Sequence, residues 1–272
     1  MEKGKLIGQG RTSEVFEWDK ENILKLYKKG MPPEAVNNEF NISNCVYKKG
    51  ILTPCAKEII DLEERKGIVF QRIHGVSMMQ FFVSKPLYIA KEAHRLAELH
   101  YEMHKIKVVG IPKQKQSIIE GINATERLTE DKKSFIINYM ESLKEESFLC
   151  HGDFHPDNVL ISGDKHIIID WMTGTVGNSV SDVARTYLLL TTGALPPGTS
   201  ILKKNIIGLG RHRFYSEYIK WYLKRSDILM EDVEKWILPV AAARLREWLP
   251  EDEKIRLMKI IDEKIRLLGL IC

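Results

Sequence analysis

The residues that invite a chemical reading lie at 151–158, His-Gly-Asp-Phe-His-Pro-Asp-Asn. Two histidines, two aspartates and an asparagine fall within this stretch, immediately before the apolar run Val159-Leu160-Ile161. The plainest account is a capped turn, in which Asp and Asn bond their own backbone. A transition-metal site through His151 and His155 is disfavoured, because Pro156 stops a helix from carrying both imidazoles on one face. A metal-dependent phosphoesterase needs an asparagine–histidine pair downstream, and after Gly177-Asn178 the chain has Ser179. Phosphoryl transfer suits the residue types better. It requires a carboxylate to orient a hydroxyl and accept its proton, and hard oxygen ligands for Mg²⁺. Asp153 can be the base. Asn158 and Asp170, the latter ending His166-Ile-Ile-Ile-Asp170, can be the ligands.

That chemistry also needs a grip on a nucleotide. In Ile7-Gly8-Gln9-Gly10-Arg11-Thr12-Ser13-Glu14-Val15, Gly8 and Gly10 let backbone N–H groups approach phosphates. A hairpin turn explains two glycines equally well, and Ser13 stands where the third glycine of G-x-G-x-x-G would be. No helix follows the loop, so it is not a dinucleotide-binding turn. Lys25 interrupts the apolar run Ile23-Leu-Lys-Leu-Tyr27, a costly place for an ammonium unless it is paired or turned to solvent. Glu39, with Glu34 in reserve, is the expected partner.

The elements that must position these groups follow from periodicity. Short alternating or apolar runs predict strands at 5–10, 13–18, 22–27, 56–60 and 67–73, with a helix after Pro32-Pro33. Beyond residue 77 helical spacing dominates. Ala93, Leu96, Ala97, His100 and Met103 form one stripe, and further helices are expected near 116–129, 131–146, 179–191, 203–225, 230–247 and 251–268. One hairpin, 158–171, interrupts them. The expected class is therefore α+β. A small antiparallel lobe with one helix spans 1–74 and a hinge lies at 71–76 around Gly75. A larger, mainly helical lobe over 77–272 holds the loop 151–158 and the acceptor site.

Bulk properties remove other classes. The 272 residues are 44% hydrophobic and 29% charged, which is a globular composition. A net charge of +4 without dense Lys/Arg runs argues against a nucleic-acid partner. No apolar stretch is long enough to span a bilayer, and Met-Glu-Lys-Gly-Lys at the start lacks a signal-peptide core, so a cytoplasmic, membrane-free protein is expected. Cys45, Cys55, Cys150 and Cys272 show no metal or disulfide spacing and read as reduced thiols. Monomer or dimer is the default expectation.

Glycine loop, strand lysine, helix glutamate, hinge, D-x-x-x-x-N and strand-ending aspartate occur here in the order of a protein-kinase-like fold. More narrowly, GQGRTSEVF, ILKLY, FQRIHG, LAELH, HGDFHPDN, IIIDW and SDVART resemble the aminoglycoside phosphotransferase and choline kinase family, the small-molecule branch of that superfamily. The resemblance implies a two-lobe kinase-like fold, ATP (GTP also possible) and Mg²⁺. It implies Asp153 as catalytic base, Asn158 and Asp170 as Mg²⁺ ligands, and Lys25, held by Glu39, on the α/β-phosphates. Gly8, Gly10 and Ser13 would cover the phosphates. The adenine would lie among Ile7, Val15 and Ile23 above, Leu160 below and Phe70 behind, with Gln71 to Ile73 offering backbone hydrogen bonds and Ile169 beside the metal. Partners are then a nucleotide and a small hydroxylated substrate.

A protein Ser/Thr kinase is the weaker reading. Gly152 replaces the usual arginine, Trp171-Met172 replaces Phe-Gly, no Ala-Pro-Glu follows, and Asp182 comes only twelve positions after Asp170. If Asp182 braces the catalytic loop, no room remains for a peptide-binding segment. An inactive nucleotide-binding regulator is the other alternative. His151 is expected to be structural, His155 to contact phosphate or brace the loop, and His100 and His104 to be core or surface residues. For the acceptor, Glu231, Asp232, Glu234 and Glu251 to Glu253 could form an acidic cleft, or simply favour helix starts. Trp221, Tyr215, Tyr218, Tyr222, Trp236 and Trp248 could cage an ammonium, or simply pack helices.

Overall fold

The computed structural model describes residues 3–193 and 201–269, the side chains of 201–206 excepted. Cys272 lies outside the described residues. In chain order the elements are β1 (Leu6–Gln9), β2 (Ser13–Glu17), β3 (Asn22–Tyr27), α1 (Pro33–Lys48), β4 (Ala56–Leu62), β5 (Arg65–Gln71), β6 (Val76–Ser77), α2 (Met78–Ser84), α3 (Ile89–Met103) and α4 (Gln114–Ala124). They continue with α5 (Glu130–Glu141), β7 (Phe148–Cys150), β8 (Val159–Ser162), β9 (Lys165–Ile168), β10 (Thr175–Gly177), α6 (Ser179–Thr192), α7 (Ile201–Arg225), α8 (Met230–Arg244) and α9 (Glu251–Leu267). The fold is α+β, with an antiparallel sheet in the N-terminal part and a mainly helical C-terminal part. No described helix is long and apolar enough to cross a membrane.

Two compact units result. The first joins Met1–Ser84 to Pro156–Gly174, and the second joins Lys85–His155 to Thr175–Cys272. This division differs from lobes of 1–74 and 77–272 in one respect that matters for the site: the 158–171 hairpin groups with the N-terminal residues. The reason is hydrogen bonding. β8 pairs with β6 in the register Val76↔Ile161, Ile168 N–H donates to Leu52 O, and Trp171 Nε1–H donates to Thr53 Oγ1. A β-carbon on Gly75 would lie 2.4 Å from Ile161 O, so only glycine permits that approach of the two backbones.

Within the first unit the sheet order is β1-β2-β3-β5-β4, all antiparallel. The two-residue period of β3 sorts its side chains. Leu24 and Leu26 pack with Phe16 and Val69 on one face, while Tyr27 and Ile23 pack with Val36, Ile68 and Phe70 on the other. Lys25 therefore shares the Tyr27 face. Helix α1 starts at prolines, which are tolerated where N–H groups lack helical partners. Its buried stripe is Val36, Glu39, Ile42, Ser43 and Val46, so Glu39 is the one charged residue carried inward with the apolar ones.

In the second unit α3 packs on α7 and α6 on α8. The α3 stripe is buried as its spacing requires, His100 included. The pair β7–β10, with Thr175↔Cys150, holds both strands of chain that flank the 151–174 segment. These three-residue strands, like the two-residue β6, are too short for a periodicity to reveal them.

Candidate active site

In the first unit three charges converge. Lys25 Nζ lies 2.6 Å from Glu39 Oε1 and 3.0 Å from Asp170 Oδ1, and Tyr27 O–H donates to Glu39 Oε2 at 2.5 Å. Glu34 is exposed and takes no part in the cluster. Burial alone would favour the neutral amine of Lys25, but the Asp170 and Glu39 carboxylates outweigh it and hold the ammonium charged, its pKa raised. Glu39 is pushed up, chiefly by burial, with Lys25 opposing.

Asp170 has φ +65°, a left-handed backbone uncommon for a residue with a β-carbon. The segment after it is tied down through Trp171, which is buried, and by Gly174 N–H donating to Trp171 O. Asn158 is buried just across the hairpin end, where its carbonyl accepts from Ile169 N–H at 3.0 Å. An amide oxygen and a carboxylate that is 37% exposed are hard oxygen donors, a type that suits Mg²⁺ better than a soft metal.

The remaining nucleotide candidates are also in the first unit. Neither Gly8 nor Gly10 has a positive φ, and a β-carbon on either would make only ordinary contacts, 3.5 Å to Val15 and 3.6 Å to Ser13 O. The hairpin itself thus does not require these glycines. Ser13 is buried, Val15, Leu160, Ile169 and Ile73 are half-buried, Ile7 is exposed, and Phe70 sits in the core beside Ile23. The amides of Gln71 and Arg72 donate to Cys55 O and Glu21 O. That of Ile73 donates to no backbone carbonyl among the described residues.

The loop 151–155 belongs to the second unit. Gly152 has φ +75°, which explains glycine there, and the turned backbone aims two amides at one carboxylate. His151 N–H donates to Asp182 Oδ2 at 2.6 Å and Gly152 N–H to Asp182 Oδ1 at 2.8 Å. Asp182 stands in the first turn of α6, whose start is capped by Asn178 accepting from Val180 N–H. His151 Nδ1 accepts from Asp153 N–H, and Thr186 Oγ1 donates to Phe154 O at 2.9 Å.

The Asp153 carboxylate, 33% exposed, has His155 Nε2 at 3.5 Å and Arg185 Nη2 at 3.9 Å. Burial opposes its ionisation most strongly, yet His155, Arg185 and His151 together hold its pKa below the usual carboxylate range. Arg185 also donates through Nε to Gly152 O and pairs with Glu247 at 2.8 Å. The motif Ser-Asp-Val-Ala-Arg-Thr alone gives Arg185 no role. Its position three residues after Asp182, on the same helical face, is the signal that could have found it.

Acceptor candidates separate clearly. Asp232 bonds Leu229 N–H and Lys235, Glu234 meets Lys264, Glu251 meets Arg127, Asp252 meets Arg256, and Glu253 meets the buried Arg244. These acids cap and cross-link helices. Of the candidate aromatic residues, Tyr218, Tyr222 and Trp236 are core, Trp221 stacks on His94, the half-buried Tyr215 meets Tyr187 edge-on, and Trp248 is 73% exposed.

Comparison with known proteins bears on the whole arrangement. A family model described as "Phosphotransferase enzyme family" matches residues 3–215, which contain every residue of both clusters except Glu247. The chain belongs to this phosphotransferase family. It is accordingly an enzyme that moves a phosphoryl group to a hydroxyl. Solved structures share the fold at low identity. An amicoumacin kinase in complex with AMP-PNP, Ca²⁺ and Ami aligns with TM-score 0.61 at 15% identity over 95% of this chain and 86% of that one. An aminoglycoside-3'-phosphotransferase of type VIII aligns with TM-score 0.62 at 14% identity over 88% and 91%. A choline/ethanolamine kinase family protein from Mesorhizobium loti gives 0.59 at 14% over 97% and 87%. No curated protein sequence matches the phosphotransferase.

Proposed function

We propose that this phosphotransferase moves the γ-phosphoryl group of ATP to a hydroxyl of a small molecule such as an aminoglycoside-like compound, an amino alcohol or a sugar. Asp153 orients the acceptor hydroxyl and takes its proton. Lys25 neutralises charge on the nucleotide phosphates, with Glu39 and Tyr27 fixing its ammonium. Gly8 and Gly10 leave the 9–13 turn bare enough for phosphate oxygens to meet backbone N–H groups. Ile73 N–H offers a donor to the base. Asn158 and Asp170 would hold Mg²⁺, which when bound neutralises phosphate charge. Because the transition state is loose, most of the acceleration comes from positioning and charge neutralisation.

The observation that carries this reading is Asp153: a partly exposed carboxylate, held ionised, on a loop whose amides are clamped by Asp182. A small acceptor is supported by the segment after Asp170, where a tight turn and β10 lead straight into the capped start of α6. The amicoumacin kinase, and solved phosphotransferases of the same fold in complex with streptomycin or gentamicin, suggest where to begin the search. The test is incubation with Mg²⁺·ATP, or Mg²⁺·GTP, and a pooled panel of aminoglycosides, amino alcohols, choline and sugars, read by mass spectrometry for an added phosphoryl group. Asp153→Asn should abolish the product while leaving nucleotide affinity nearly intact. Persistent turnover in that variant would remove Asp153 from the role of base.

A further inference from the structure

We propose that two tyrosine–histidine pairs, Tyr218–His100 and Tyr222–His104, are positioning residues for phosphoryl transfer, holding Asp182 where it fixes the 151–153 loop. The inference rests on Asp153 being the base. Three helices supply the parts. His100 lies in the last turn of α3 and His104 at its C-cap, Tyr218 and Tyr222 stand one turn apart on α7, and Asp182 lies in the first turn of α6. His100 Nε2 lies 3.1 Å and His104 Nε2 3.3 Å from Asp182 Oδ2, the oxygen that also receives His151 N–H. Their other ring nitrogens meet the tyrosines, His100 Nδ1 at 2.6 Å from Tyr218 O–H and His104 Nδ1 at 2.7 Å from Tyr222 O–H. All five side chains are buried.

Proton placement fixes the direction of the His100 arm. Burial, the largest influence, followed by His104, lowers the His100 pKa to about 3, so the ring is neutral and carries one N–H. Only a ring N–H can face the anionic Asp182, so Nε2–H donates there and Nδ1 accepts from Tyr218. The His104 arm repeats the same contacts. Asp182 is thus stabilised as an anion despite burial, its pKa held well below the usual value by the two histidines. The Phe154 ring lies 4.3 Å from His100, so the network also touches the residue after the base. Neither a helix start nor backbone amides alone would need the two tyrosines. Their role is to prevent the imidazoles from rotating away from Asp182.

Because two arms converge on one oxygen, losing one should matter less than losing both. The experiment uses the full chain and compares Tyr218→Phe, Tyr222→Phe, the double variant, His100→Leu and His100→Gln. The double variant should lower kcat by roughly tenfold to a hundredfold, the scale of misplacing a catalytic group by about 1 Å, with nucleotide KM little changed. Each single variant should lose less than half of that on a logarithmic scale. His100→Gln, whose amide can donate to Asp182, should recover most of what His100→Leu loses. Hydrogen exchange over 151–154 should rise in step with the loss of kcat. A folded double variant with unchanged kcat and exchange overturns the proposal, as do equal losses in the Leu and Gln variants.

The three metal-capable groups converge within 4.8 Å, so wild-type protein is also analysed for metals. A stoichiometric transition metal overturns the hydrogen-bonded network. If the wild type transfers no phosphoryl group on any panel compound, the exchange data alone judge the positioning of the loop, and the failure then belongs to the assigned reaction.

Discussion

Replacing Lys25 by methionine keeps most of the stem and removes the ammonium. Glu39, 1% exposed, is then left with the Tyr27 hydroxyl as its neutral partner, and Asp170 loses its cation. Removing one member of a buried ion pair costs about 3–5 kcal/mol. Asp170 is partly exposed and can turn to water, so Glu39 sets the penalty. Its carboxyl is already pushed up by burial and can escape part of the cost by binding a proton. The loss should therefore fall near the lower end, about 3 kcal/mol. Glu39→Gln keeps the Tyr27 contact and leaves Lys25 with Asp170, so about 1–2 kcal/mol is expected.

In the double variant neither unpaired charge remains in the core. Its loss should be smaller than the sum of the singles, with a coupling of about 2 kcal/mol. Urea unfolding at pH 7.5, followed by circular dichroism and tryptophan fluorescence, measures all three. The sign of the pH effect follows as well. A carboxyl raised in the folded state binds more protons there than when unfolded, so the deficit of Lys25→Met should shrink as the pH falls. Additive losses in the double variant, or a Lys25→Met cost under about 1 kcal/mol, would refute the view of Lys25 and Glu39 as a mutually dependent buried pair.

Three further outcomes are expected. Asp170→Asn, which tolerates the left-handed backbone but lacks the charge, should weaken Mg²⁺-dependent nucleotide binding in calorimetric titration; unchanged affinity would remove Asp170 from the proposed metal site. Gly75→Ala should cost about 1–3 kcal/mol in thermal unfolding, since its β-carbon would press on the Ile161 carbonyl, and a neutral result would mean that β6 and β8 need not approach so closely. His100 has a lowered folded pKa, so it binds fewer protons folded than unfolded. Its contribution is complete above about pH 6.5 and is lost as the pH falls toward 3, with a slope of up to about 1.4 kcal/mol per pH unit. His100→Gln should flatten urea midpoints between pH 6.5 and 4.5, and an unchanged slope would contradict a neutral buried ring.

Local pattern was enough to reveal the short-range part of this protein. The run Ile23 to Tyr27 alternates, so Lys25 had to share a face with Ile23 and Tyr27. Glu39 is expected ahead of Glu34 as the partner of Lys25, but the buried stripe that carries it inward, with Val36, Ile42, Ser43 and Val46, is seen only in the structure. Asp153, Asn158 and Asp170 were legible because their types and spacing match the needs of phosphoryl transfer, and their order along the chain matched a family. Side-chain period and turn chemistry act over a few residues, and sequence displays them directly.

What pattern could not show depends on residues far apart in the chain. That the 158–171 hairpin groups with the N-terminal residues depends on β6, two residues long, which has no periodicity to read. His100 and His104 read as core or surface residues, and Tyr218 and Tyr222 as an aromatic cage or as helix packing. Only when α3, α6 and α7 converge on Asp182 do their polar atoms meet, because a buried hydrogen bond is satisfied by a partner in space, whatever its distance in sequence. Arg185 and Glu247 come together for the same reason, on different elements beside Asp153. The sequence by itself marked the residues proposed to bind nucleotide and move a proton. The tertiary structure alone decided what holds them still.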